Sequence, residues 1–228
     1  MISTGMTGRQ RIFDEPASSQ ADRAYGALLE DIVTLRLQPG ELLADEELRG
    51  RLALGRGPIR EALQRLASER LVVVLPRRGT LVSEIVITDL GEIYEVRCTL
   101  EGLAARLAAE RFGDGTMPPE IAEDLAAIHS TSDLISLLAI DYRLHRVVYR
   151  LARNSYLLES LNWYLTLSFR LVLAATQRLR TAPVEELIDA MDEFNALFEA
   201  IRTGDAARAE EIARRHSGFT EMMLRRTM

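Results

Sequence analysis

Three groups of side chains have the types and spacing to do chemistry. Asp141 and His145 stand four residues apart, so a helix carries both on one face, a spacing that suits either a local ion pair or two ligands of one metal. His216, far along the chain, is the third member of that group, whereas His129 has no partner legible in the sequence and reads as surface. The second group is a single residue. Arg97 lies inside an apolar stripe, four residues after Ile93 and three before Leu100, and a charge on such a face needs a partner. That partner is either a carboxylate of a neighbouring helix, in a structural ion pair, or the carboxylate of a ligand, which a bidentate guanidinium fork suits well. The third group is the stretch Arg56 to Leu66, where Ile59, Ala62, Leu63 and Leu66 recur at helical spacing and form the buried face of a short amphipathic helix. Pro58 suits a first helical position and Gly57 serves as its N-cap, so Arg56 and Arg60 project from a helix N-terminus that favours phosphate.

Chemistry of other kinds finds no foothold. The sequence has no nucleophile elbow, phosphate-binding loop, dinucleotide fingerprint or HExxH, so the reading is of a protein that is not an enzyme. A helical metal-dependent enzyme built on Asp141, His145 and His216 is one alternative, and a helical interaction protein with no effector is another. Cys98 is the only cysteine, the N-terminus does not resemble a signal peptide, and no apolar run approaches the roughly 20 residues of a membrane span. A reducing cytoplasm and no membrane partner fit these features. The formal charge of −6 argues against a protein coated in nucleic acid, yet the total hides an asymmetry. Between Arg56 and Arg78 six arginines face only Glu61 and Glu69, so basic charge gathers around the short helix. All 28 basic side chains are arginine.

The elements that must position these groups follow from periodicity. With 228 residues there is room for one large or two small domains. Residues 1–20 lack sustained periodicity and read as a flexible tail. A helix is expected from Ala21 to Leu37, stopped by Gln38-Pro39-Gly40, and a second short one after Asp45 as N-cap, marked by Leu48 and Leu52 and broken at Gly55. The arginine-bearing helix comes next, which makes a helix-turn-helix whose second helix lies in the DNA major groove. Leu71 to Leu75 and Thr80 to Val82 are strands joined by Pro76-Arg77-Arg78-Gly79, a hairpin with a basic tip, so residues 21–86 form a winged helix-turn-helix. Residues 87–228 show only helical patterns. Helices are expected at Asp89 to Phe112 with Thr88 as cap, Pro118 to His129, Ser132 to Leu151, Ser155 to Leu179, Pro183 to Ile201 and Asp205 to Arg226, with Gly204 a C-cap and Asp205 the next N-cap. The fold expected is mainly α, a winged helix with a small β-hairpin followed by an antiparallel bundle of six or seven helices.

On these residues the chain resembles a known family. Pro39-Gly40, Pro58-Ile59-Arg60-Glu61-Ala62-Leu63 and Pro76-Arg77-Arg78-Gly79-Thr80 look like the DNA-binding domain of GntR-family transcriptional regulators. Tyr94-Glu95-Val96-Arg97 through Glu101, Asp141 with His145, Asn154 after Ala152-Arg153, and Ala200-Ile201 through Gly204-Asp205 to His216 look like the FCD effector domain of the FadR subfamily. The resemblance implies a ligand-responsive regulator, a repressor that binds a palindromic double-stranded DNA operator as a homodimer and responds to a small organic acid. The DNA-contacting residues it implies are Arg56, Gly57, Arg60, Gln64, Arg77, Arg78 and Gly79, and the effector-contacting ones Arg97, Asp141, His145, Asn154, Phe194 and His216. Two positions depart from the family. Gly55-Arg56-Gly57 stands where Ser-Arg-Thr is common, which removes two hydroxyl contacts, and Phe194 stands where many members have a fourth metal ligand, a histidine. Asp141, His145 and His216 with water or effector still make a three-ligand site for Zn²⁺ or Ni²⁺. No organic cofactor is implied.

Overall fold

The computed structural model describes residues 18–85, 90–113, 115–179 and 184–225, and divides into two compact units at Glu84/Ile85. In the first unit α1 (Gln20–Val33) buries Ala24, Leu28, Ile32 and Val33. Ser19 caps it, accepting from the Asp22 N–H while Asp22 accepts from the Ser19 N–H, so the last residues of the expected tail belong to the helix start. Residues 1–17 of that tail lie outside the described residues. The helix also ends earlier than its apolar spacing suggests. Leu35 takes φ +56° and leaves the helix, yet Leu35 and Leu37 stay buried, so the pattern outlives the hydrogen-bonded turns.

β1 (Leu42–Leu43), too short for periodicity to reveal, pairs with β3 (Gly79–Val82), which pairs on its other edge with β2 (Val72–Leu75). The expected hairpin is therefore part of a three-stranded antiparallel sheet of order β1-β3-β2. α2 (Asp45–Leu52) starts one residue before expectation: Ala44 occupies the cap without a side-chain bond, and Asp45, Glu46 and Glu47 fill the first turn, where the helix dipole favours acid. α3 (Arg56–Ser68) is the arginine-bearing helix. Its N-cap is Gly55, not Gly57, so Gly57 and Pro58 both fall in the first turn. Ile59, Ala62, Leu63 and Leu66 are buried as the spacing predicts, with α1 the main partner.

The second unit is all helix among its described residues: α4 (Leu90–Phe112), α5 (Pro119–Ile128), α6 (Leu134–Leu151), α7 (Ser155–Leu179), α8 (Val184–Met191), α9 (Glu193–Thr203) and α10 (Ala206–Arg225). Thr88, the expected cap of α4, lies outside the described residues. The helix expected from Pro183 to Ile201 is two, interrupted at Asp192, where φ −61° and ψ −22° keep a helical hand while the ladder breaks, so the chain bends rather than loops. Gly204 and Asp205 do what their types suggest. Gly204 sits at φ +71°, the Asp205 N–H reaches Ala200 O at 2.9 Å, and the Asp205 carboxylate accepts from the Arg208 N–H of α10 at 3.1 Å.

α4 and α10 form the most extensive helix pair. Toward its C-terminal half α4 buries a run of small residues, Gly102, Ala104, Ala105, Ala108 and Ala109, and α10 buries Ala209, Ile212 and Ala213. Small side chains let two helix axes approach. At Gly102 the approach is closest: a Cβ there would stand 2.7 Å from Cγ and Nε of Arg214, whose stem crosses α4 at that point. No described helix is long and apolar enough to cross a membrane.

Candidate functional site

Helix spacing brings the polar residues of the second unit to one buried point. Arg97 and Glu101 are one turn apart on α4, and Asp141, His145 and Tyr149 occupy three successive turns of α6. α9 contributes Phe194 and α10 His216. Arg97, Glu101, Tyr149, Phe194, His145 and His216 are all buried, and Asp141 is the most accessible member.

The contacts fix which nitrogen of each imidazole donates. His145 Nδ1 is 3.3 Å from Glu101 Oε2, and an ionised carboxylate only accepts, so Nδ1 carries the proton. Its Nε2 is 3.4 Å from an Arg97 guanidinium nitrogen, a group that only donates, which agrees. His216 Nδ1 is 3.1 Å from the carbonyl of Ala190 on α8 and must likewise donate. Both Nε2 atoms then lie near Asp141 Oδ1, at 3.7 Å from His145 and 3.5 Å from His216. Asp141 Oδ1 therefore has both Nε2 atoms beside it, at a point that a proton or a metal cation can occupy.

That arrangement fits a metal. One ligand atom from each of Asp141, His145 and His216 lies within 4.8 Å of the others. Bonds of about 2.1 Å in a tetrahedral site put ligand atoms roughly 3.4 Å apart, close to the two separations to Asp141. Two imidazoles and a carboxylate suit Zn²⁺ or Ni²⁺, and three protein ligands leave positions for water or another molecule. Phe194 supplies no donor. Its ring lies edge-on to His145 at 5.1 Å and tilted on His216 at 4.7 Å, walling the site and holding both imidazoles in place.

The charges beside the imidazoles are strongly coupled. Burial alone would raise the Glu101 carboxyl, but His145, Arg97 and the Tyr149 hydroxyl outweigh it and hold the group down at about 2. Arg97 is likewise kept charged against its own burial by Glu101, whose Oε1 accepts from its Nε at 3.2 Å. Burial and the Glu101 charge push the Tyr149 phenol well above its ordinary range. Asp141 is lowered despite burial, by His145 and His216.

Tyr149 is the residue that sequence reasoning missed, and Glu101 entered there only within the family motif, with no site role. Each is one turn from a residue already singled out, His145 and Arg97, and that spacing was the available signal. Asn154 is not part of the cluster: α6 ends at Leu151, and Asn154 caps α7, its side-chain oxygen accepting from the Leu157 N–H at 3.2 Å. His129 does have a partner, Asp192, at 2.9 Å on the surface, where both side chains are exposed.

In the first unit Arg56, Arg60 and Gln64 stand at i, i+4 and i+8 on the exposed face of α3, opposite its buried stripe. Arg56 Nε lies 3.4 Å from Asp45 Oδ2, an exposed pair, whereas Arg60, Arg77 and Arg78 form no ion pair with any described residue. Arg65 behaves differently. Its guanidinium stacks 3.6 Å over Tyr25 and reaches Asp22 and Glu69, which ties α3 to α1. At the hairpin tip the Arg78 N–H reaches Leu75 O at 3.0 Å, with Pro76 and Arg77 in the turn and Arg77 at φ +63°. This is the φ > 0 position of a type II turn, usually Gly or Asn, occupied here by an arginine. Gly79, at φ +101°, is required twice over, since a Cβ would also meet Leu42 Cδ1 at 3.0 Å. Gly57 has open space around it.

Residues 20–82 match the family of bacterial regulatory proteins named gntR, and residues 92–218 match the FCD domain. The chain belongs to the GntR family. Its relatives there are transcriptional regulators rather than enzymes. The HTH-type transcriptional repressor GlaR of Escherichia coli is 32% identical over 202 residues, 84% of this chain and 90% of that one. The gluconate operon transcriptional repressor of Bacillus licheniformis is 27% identical over 183 residues, 76% of this chain and 72% of that one. Among solved structures, E. coli McbR/YncC shares the fold with a TM-score of 0.76 at 21% identity, covering 91% of this chain and 98% of that one. GntR regulators bind DNA through the first domain and an effector through the FCD domain, so the two clusters lie in the two parts of the chain where the family does its work.

Proposed function

We propose that this GntR regulator is a repressor that binds a palindromic operator as a homodimer and changes its grip on DNA when a small organic acid enters the helical unit. On this reading Arg56, Arg60 and Gln64 face bases and phosphates in the major groove, Gly57 lets the backbone approach, and Arg77, Arg78 and Gly79 follow the flanking phosphates. The relatives named as repressors support the sign, and one named for a gluconate operon is in keeping with an acidic effector. The operator symmetry follows from the dimer, because a two-fold protein meets paired half-sites.

The observation that carries the ligand half is the inward convergence of Asp141, His145 and His216 beside the charged Arg97. With neutral imidazoles, Arg97, Glu101 and Asp141 leave the cluster with one net negative charge, and a divalent ion reverses that sign. A bound Zn²⁺ or Ni²⁺ would act as a Lewis acid that attracts a carboxylate, which Arg97 then orients and Phe194 covers with apolar surface. Asn154, away from the cluster at the α6–α7 corner, is left out of that set of residues.

Purified protein offered random duplex DNA tests the reading. It should select an inverted repeat, bind it with two chains per duplex by sedimentation, and be stabilised thermally by Zn²⁺ together with a small carboxylate. Recovery of no preferred sequence, or of a site bound by one chain, would overturn the DNA half; absence of any stabilisation across a panel of carboxylates would overturn the ligand half.

A further inference from the structure

Glu101 has no role in holding a ligand directly, yet it is among the most deeply buried carboxylates in the chain, and its two oxygens are divided between different partners. Oε1 accepts from Arg97 Nε at 3.2 Å and from the Tyr149 hydroxyl, while Oε2 faces His145 Nδ1 at 3.3 Å. A carboxylate needed only to neutralise Arg97 would be satisfied through Oε1. We propose that Glu101 is a positioning residue: held by Arg97 and Tyr149, it keeps His145 in the Nδ1–H tautomer, so that the Nε2 lone pair is presented to Asp141, His216 and whatever cation they hold. The proposal rests on the metal-site reading above only for its last clause.

The physical argument is one of donors and acceptors. An imidazole left to itself exchanges its single proton between the two nitrogens, and a ring protonated at Nε2 would aim an N–H at the ligand point and exclude a metal there. His216 has its proton fixed by a backbone carbonyl, Ala190 O, which no side-chain substitution removes. Among the described residues His145 has no such backbone partner at Nδ1; the Glu101 side chain does the same task. Arg97 and Tyr149 are what make that side chain reliable, because two donors on Oε1 prevent the carboxylate from rotating away. The contact runs between α4 and α6, with Tyr149 one turn beyond His145 on the same face.

This dictates an unusual result for Glu101→Gln, a change that preserves shape. Arg97 Nε and the Tyr149 hydroxyl are both donors, so the amide oxygen must take the Oε1 place and the amide NH₂ must face His145. A donor there requires Nδ1 to become an acceptor, and the proton moves to Nε2. The substitution therefore inverts the tautomer instead of merely loosening it.

The chain has only three histidines, which makes the test direct. Full-length protein labelled with ¹⁵N-histidine, stripped with chelator and held at pH 8, is probed by long-range ¹H–¹⁵N correlation, and Co²⁺ is titrated in while its visible absorption is followed. In the wild type His145 and His216 should both show the Nδ1–H pattern. In Glu101→Gln His145 should show the Nε2–H pattern with His216 unchanged, and Co²⁺ binding should weaken by at least the roughly 10- to 100-fold typical when a metal-ligating histidine is deprived of the group that orients it. A wild-type His145 protonated at Nε2, or at both nitrogens, overturns the proposal. So does a variant that keeps the wild-type pattern and Co²⁺ affinity. If the variant does not fold, the wild-type spectrum alone decides by the same criterion. If Co²⁺ fails to bind the wild type while the tautomer still inverts, Glu101 keeps its positioning role and the metal reading is the part that fails.

Discussion

The two units place their charged residues in opposite ways. On α3 and the hairpin tip, Arg60, Gln64, Arg77 and Arg78 are exposed and form no ion pair with any described residue, while the buried residues described in that unit carry no charge. In the helical unit Arg97, Glu101, His145 and His216 are inside, and each is held by another. An exposed arginine adds little to stability, so in the first unit the residues proposed to read DNA are separable from those that hold the fold. A buried charge left without its partner is expensive, so in the second unit the groups proposed to bind ligand also hold the helices together.

The largest effect expected from that contrast is on stability. Arg97→Leu strands the Glu101 carboxylate and should cost the helical unit about 3–5 kcal/mol, seen as an earlier thermal transition by calorimetry. An unchanged transition would mean that the buried pair is dispensable and the contrast false. Acid should act in the same direction. The Glu101 carboxyl, ordinarily near 4.5, is held at about 2 in the folded chain, so its contribution is complete above 4.5 and is lost as pH falls toward 2. Stability of the helical unit followed by circular dichroism should fall across that window, and the loss should be smaller in Glu101→Gln, which has no proton to take up there.

Smaller effects are expected in the first unit, and on DNA binding alone. Arg60→Ala should cost about 1–3 kcal/mol on the selected operator and relax preference at one base in each half-site, with stability within about 0.5 kcal/mol of wild type. Arg78→Ala should weaken all duplexes alike and lower the slope of log affinity against log salt by about 0.9 for each phosphate that the protein no longer neutralises. Equal loss of stability in these variants and in Arg97→Leu would erase the distinction between the units.

The same contrast explains what could be read from the sequence. The faces of α3 were legible because an exposed arginine row and a buried aliphatic stripe are both local patterns, as was the Gly204-Asp205 corner, where each residue type answers a backbone need. Arg97 announced itself by interrupting an apolar stripe. Its surroundings did not, because Glu101 meets Tyr149 and His145 across helices more than forty residues apart, a meeting decided by helix packing. The α4–α10 approach that brings His216 in depends on Gly102 and its neighbouring alanines, residues that look ordinary in a helical pattern. Short-range boundaries were misjudged where burial and backbone part company. Leu35 and Leu37 are core without being helix, and Asp192 interrupts a helix whose apolar stripe runs on through Met191 and Phe194.

The central claim is that the buried cluster governs the exposed arginines, and coupling is what tests it. Fluorescence anisotropy on the selected operator, in Zn²⁺ and at fixed salt, should be measured with and without the carboxylate that stabilises the protein. The account predicts that operator affinity shifts by at least five-fold, about 1 kcal/mol of coupling, and that by reciprocity operator DNA shifts carboxylate affinity by the same factor. A carboxylate that stabilises the helical unit at saturation while leaving operator affinity unchanged would contradict it.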